Sequence, residues 1–181
     1  GTTDPSPPDR PVPPPQQALP TQTAPPKTDP GLARQLQQMV QQNDLAGQVE
    51  VISGVQSVIV RISDRILFAS GRAGLEASGV SLVARLAPVL AKAGSTISIE
   101  GHTDNVPIST VVYPSNWELS AARASTVLRQ LTSLGLPPTR LRAIAYADTR
   151  PVAPNDTPDH RAQNRRVELV IASGAPEAAA P

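Results

Sequence analysis

The chain has 181 residues, 21 of them proline, and 16 basic residues set against 15 acidic ones for a net charge of +1. That balance lacks the basic footprint of a nucleic-acid binder, and no stretch of roughly 18 apolar residues is present to cross a membrane as a helix. There is no cysteine, so disulfides say nothing about compartment.

Residues 1–30 hold eleven of the prolines, and no aromatic residue precedes Phe68. Such a segment buries too little apolar surface to offset its ordering entropy, so it reads as a flexible, polyproline-type linker. Its reach approaches about 90 Å at about 3.1 Å per residue. The start at Gly1 carries no signal-peptide pattern and reads as a processed or engineered end, leaving room for a preceding segment.

Residues 31–46 form a short helical candidate with Leu32, Leu36, Met39 and Val40 at helical spacing, packed on the domain or on a partner. The domain itself is expected over 47–172. Segments 48–53 and 56–63 read as strands around Gly54, the second turning Val58, Val60 and Ile62 inward. A helix is expected over 75–93 with Leu82, Val83, Leu86, Val89 and Leu90 on one face, and Pro88 argues for a kink or early stop. Segment 96–102 reads as a strand with Ile97 and Ile99 inward, followed by a ten-residue loop, 105–114.

The best-marked helix is 115–134, opened by a Ser115/Glu118 capping box and closed at Gly135. The last strands are expected at 141–147 and 166–172, the latter turning Val167, Leu169 and Ile171 inward. The tail 173–181 reads as disordered. This order predicts an α/β sandwich, a mixed sheet with helices packed on one face.

On the wheel of helix 115–134, Trp117, Ala121, Ala124, Leu128 and Leu131 fall within about 60–140° and are assigned to the core. Asn116, Ser120 and Arg123 form a polar stripe beside that face, where a groove wall would lie. Arg123 is either a wall residue of that groove or an ordinary exposed helix arginine. Asp104, at the end of the strand TISIEGH, either binds a ligand or caps a turn. No catalytic residue is assigned, because Ser120 has no visible base. With only His102, His160 and scattered carboxylates, no metal site and no cofactor are assigned either.

Three blocks, G-H-T-D at 101–104, N-W-E-L-S-A-A-R-A at 116–124 and R-A-Q-N-R-R-V-E at 161–168, resemble the signature blocks of the OmpA-like peptidoglycan-binding family. The likeness covers roughly residues 50–172. The longer loop in G-H-T-D-N-V-P-I followed by Y-P-S-N-W-E-L-S, with Y-A-D-T-R-P-V at 146–152, is most similar to the periplasmic domain of flagellar motor stator B subunits.

The resemblance implies a non-enzymatic wall anchor that binds the diaminopimelate-containing stem peptide of peptidoglycan. On it, Asp104 meets the ammonium and Arg123 a carboxylate, while Thr103, Asn116, Leu119 and Ser120 line the pocket and Arg165 closes it. For Arg165, and for Arg166 particularly, pairing with acidic residues such as Glu168 stays open. The resemblance further implies a homodimer, a stator A subunit as partner, and inner-membrane attachment through a helix outside this chain. A Pal-like lipoprotein or a secretion-system wall anchor is the alternative. On this reading Asp104→Asn and Arg123→Ala abolish wall binding and leave thermal stability nearly unchanged.

Overall fold

The computed structural model describes residues 30–173, so the expected linker at 1–30, but for Pro30, and the expected tail at 173–181, but for Ser173, lie outside the described residues. Period-two alternation builds the centre of the molecule. Strands β1 (Val49–Ser53) and β2 (Ser57–Ser63) form a hairpin, closed where Gly54 N donates to Ser57 O at 2.8 Å. Strands β3 (Ile97–His102), β4 (Leu141–Ala147) and β5 (Arg166–Ala172) complete a mixed five-stranded sheet of order β1-β2-β5-β3-β4, with only β3 and β4 parallel. Val58, Val60 and Ile62 of β2, Ile97 and Ile99 of β3 and Val167, Leu169 and Ile171 of β5 are all buried on one face, as their alternation requires.

Helices α1 (Pro30–Gln42), α3 (Ala77–Ala93) and α4 (Asn116–Ser133) cover that face and share one apolar core with it. Two short helices, α2 (Asp64–Leu67) and α5 (Pro158–Asn164), lie at strand ends. The α/β sandwich is therefore as expected, with two helices more. Helix α5 starts where Thr157 accepts from His160 N and Pro158 takes the first turn, a start signal legible in the sequence.

Helix α1 stops at Gln42, short of the expected 46, and packs on this chain's own core through Leu32, Ala33, Leu36 and Val40. At about 1.5–3 kcal/mol for each large buried side chain, this contact makes α1 part of the folded unit. Pro88 does not stop α3. It sits on the exposed face, where the carbonyl it leaves unbonded reaches water, while Leu86, Ala87 and Leu90 keep the following turn in the core.

Helix α4 begins as its capping pattern predicts. Ser115 Oγ accepts from Trp117 N at 3.2 Å and pairs with the Glu118 carboxylate. It ends in a Schellman motif, with Gly135 at φ 99°, Gly135 N bonded to Thr132 O and Leu136 N to Leu131 O. Its core face is rotated from the expected one. The buried residues are Leu119, Ser120, Arg123, Ala124, Val127 and Leu131, whereas Trp117 is 50% exposed and Ala121 is exposed. Gly101 causes this. A Cβ there would sit 2.2 Å from the Ser120 carbonyl oxygen, so the helix backbone rests directly on β3 and the polar stripe turns inward.

Candidate functional site

Four chain segments meet at one end of the sheet. Strand β2 runs directly into α2 at Asp64, whose N–H donates to Arg165 O at 3.1 Å. Strand β3 is prolonged by Thr103, whose N–H donates to Ala147 O at 2.8 Å, and then delivers Asp104. Helix α4 starts beside it, and the α5–β5 junction supplies Arg165. Between them lies a cleft of about 580 Å³ lined by Asp64, Phe68, Thr103, Asp104, Asn116, Leu119, Arg123 and Arg165, with Arg161 and Asp159 at its α5 side.

The charges in this cleft form a chain of alternating sign. Arg165 Nη1 donates to Asp104 Oδ2 at 2.6 Å, and its Nε lies 3.8 Å from Asp64 Oδ2. Arg123 Nη1 donates to that same Asp64 oxygen at 3.1 Å, and Arg123 Nε donates to Arg72 O at 2.9 Å. The guanidinium also lies 5.0 Å from the centre of the Phe68 ring. Burial raises the Asp64 carboxyl above its ordinary range, and Arg123 and Arg165 oppose that shift. Burial likewise lowers Arg123, against the pull of Asp64.

Six of the seven residues singled out in the sequence line the cleft: Thr103, Asp104, Asn116, Leu119, Arg123 and Arg165. Asp104 caps the turn and pairs with a cation of its own chain. Its Oδ1 accepts from Val106 N at 3.0 Å, capping the turn, while Oδ2 faces Arg165. Asn116 Nδ2 donates to Val106 O at 2.9 Å and so holds the start of the long loop against α4.

Ser120 is the exception. It is fully buried, donates to Trp117 O at 3.1 Å and accepts from Ala147 N at 3.2 Å, so it supports the site from behind and does not line it. Its bond holds Ala147 at φ 49°, a conformation costly to a residue with a Cβ, where β3 and β4 slip register.

Arg123 also departs from expectation. It lines the cleft, but from a buried position: at 3% exposed it is not an ordinary exposed helix arginine. Truncating it removes the nearer of the two cations beside the buried Asp64, so Arg123→Ala is expected to lose stability and not to stay nearly unchanged. Arg166 follows the pairing reading, with Nε 2.7 Å from Glu168 Oε1 on the far side of the sheet.

The sequence reading missed Asp64. Its signal was the one that marked Asp104, an aspartate at the exit of an inward-alternating strand. It also missed Asn164, which is fully buried, accepts from Val152 N and Ala153 N, and donates to Ala153 O and Asn155 Oδ1. Those bonds tie the segment before α5 to the residue preceding Arg165.

An open mixed sheet, helices on one face and a charge-lined cleft at the strand ends define the class, an α/β sandwich. Residues 67–165 match the OmpA family, and the chain belongs to that family. The uncharacterized protein YtxE of Bacillus subtilis is 40% identical over 141 residues, covering 77% of this chain and 58% of the relative. Motility protein B of Bacillus subtilis is 34% identical over 139 residues, 76% of this chain and 53% of the relative. The chain thus spans little more than half the length of these relatives.

Among solved structures, the cell wall anchor of the T6SS from Pseudomonas aeruginosa superposes with a TM-score of 0.72 at 36% identity, covering 83% of this chain and all of that one (100%). A MotB-like protein from Desulfovibrio vulgaris gives a TM-score of 0.75 at 29% identity, covering 80% and 93%. The periplasmic domain of Helicobacter pylori MotB gives 0.65 at 28%, covering 70% and 83%. No helix among the described residues is long and apolar enough to cross a membrane.

Proposed function

We propose that this chain is a non-enzymatic peptidoglycan-binding anchor of a flagellar motor stator, holding the stator channel to the cell wall around the rotor. The observation that carries the reading is the pairing of Asp104 and Arg123 in one cleft with Asp64 and Arg165 between them. Such a site offers both signs of charge to a zwitterion. The diaminopimelate of a stem peptide presents an ammonium to Asp104 and a carboxylate to the arginines. Arg123 has committed its Nε–H and one Nη1–H to protein acceptors, so its remaining Nη donors are left for a ligand.

Kinship with motility protein B and the ten-residue loop 105–114 support the stator reading. On it the domain is periplasmic and dimeric, and meets the stator A subunit through an inner-membrane segment outside this chain. A secretion-system wall anchor is the second reading, favoured by the likeness to the T6SS anchor over that whole chain. Deleting the gene separates the two: loss of swimming by flagellated cells supports the first, and loss of secretion with normal swimming the second.

Wall binding itself is tested by sedimentation with purified sacculi. Wild type is expected to pellet, and Asp104→Asn to stay in the supernatant with at least tenfold weaker binding, about 1.4 kcal/mol. Asparagine keeps the cap on Val106 N and strands only Arg165, which reaches solvent. Equal pelleting of the two proteins would remove Asp104 from the site.

A further inference from the structure

The face of the sheet away from the helices carries a second cluster of charge that wall binding does not use. Strand register sets Glu50 opposite Arg61, Arg61 opposite Glu168, and Glu168 opposite Glu100. The first three alternate in sign and are paired: Arg61 donates at 3.0 Å to Glu50 and at 3.0 Å to Glu168. The last two are like charges on adjacent antiparallel strands, an arrangement that is unfavourable by itself. Among the side chains that this register and these bonds connect, three carboxylates face two guanidinia, Arg61 and Arg166.

His102 lies beside the unmatched pair. Its side chain is 2% exposed, and neither ring nitrogen has a hydrogen-bond partner. Nε2 points toward Glu100 Oε2 at 3.8 Å, beyond hydrogen-bond reach. Tyr146 stacks on the ring with centroids 5.2 Å apart and closes it from solvent. Both arginines converge on Glu168 Oε1, so Oε2 keeps its lone pairs. One donor atom each from Glu100, His102 and Glu168 lie within 4.8 Å of one another.

We infer that Glu100, His102 and Glu168 form a binding site for a divalent transition-metal ion of the zinc type. The sequence shows only two histidines and scattered carboxylates, and these ligands from β3 and β5 meet only in the sheet. Bonds near 2.1 Å at a tetrahedral centre put ligand atoms about 3.4 Å apart, so separations of 3.8 Å between Glu100 and His102 and of up to 4.8 Å within the group close by side-chain rotation on binding. The ion relieves the Glu100–Glu168 repulsion and gives one orphaned imidazole nitrogen a partner. It also cross-links β3 and β5, the strands that carry Asp104 and Arg165 on the other side, so its effect is on stability.

The test is calorimetric titration of the EDTA-treated, dialysed chain with zinc chloride, with thermal melting alongside. Wild type is expected to bind one ion per chain and melt at a higher temperature with zinc. Glu100→Gln, isosteric at a residue with no hydrogen bond to its carboxylate, is expected to fold and to bind at least tenfold more weakly. His160→Ala, at the exposed histidine beside Asp156, is expected to bind as wild type. Absence of binding by wild type, undiminished binding by Glu100→Gln, or loss of binding in His160→Ala would each overturn the proposal.

Discussion

Arg165 Nη1 stands 2.6 Å from Asp104 Oδ2, across the cleft where a ligand's ammonium is proposed to dock. The protein's own cation thus occupies the ligand's place. Arg165 is 30% exposed, so it can leave Asp104 at modest cost and turn toward a ligand carboxylate. Arg165→Ala is expected to weaken sacculus binding at least tenfold while changing stability by no more than about 1 kcal/mol. Tighter pelleting of that variant would show instead that Arg165 only blocks the site.

Asp64 and Arg123 are a buried pair, and each depends on the other. Arg123→Ala is expected to cost about 3–5 kcal/mol, because a buried carboxylate loses its hydrogen-bonded cation and keeps only the more distant Arg165. The double variant Asp64→Asn/Arg123→Met removes both charges and should recover much of that loss without recovering wall binding. Urea unfolding of the single and double variants gives the coupling, and sedimentation gives the function. Purely additive stability losses would show that the pair is not energetically linked.

Gly101 is expected to tolerate no side chain. With 2.2 Å to the Ser120 carbonyl, Gly101→Ala must push α4 off β3. The expected cost is about 1–3 kcal/mol, typical of overpacking, read as a lower melting temperature. An unchanged melting temperature would mean that the contact between helix and strand is loose.

Glu168 gives the fold an acid-sensitive contribution. Burial works to raise its pKa, but Arg166 and Arg61 prevail and hold it below its ordinary 4.5. A carboxylate depressed on folding adds stability above its unfolded value and loses it as pH falls through the folded one. In metal-free buffer, the stability difference between wild type and Glu168→Gln is therefore expected to be larger at pH 7 than at pH 3. Asp64, raised on folding, slopes the opposite way above its ordinary 3.8 and is common to both proteins. Equal differences at the two pH values would contradict the assignment.

The sequence by itself determined the sheet's inward residues and the ends of α4. Alternation in β2, β3 and β5 is a local pattern with one apolar face, and the Ser115 and Gly135 caps act within a turn of where they stand. It also marked Asp104, Arg123 and Arg165 through the three blocks that resemble the family. Tertiary structure alone decided what those charges do. Helical periodicity puts Arg123 on a polar stripe beside the core, and it does line the cleft, but periodicity shows neither its burial nor its pairing. Its partner Asp64 lies 59 positions away, and only Gly101's lack of a Cβ lets α4 settle deep enough to bring the two together. The same distance in sequence hid Glu100 from Glu168: a polar residue's partner is fixed by strand register, which no local pattern encodes.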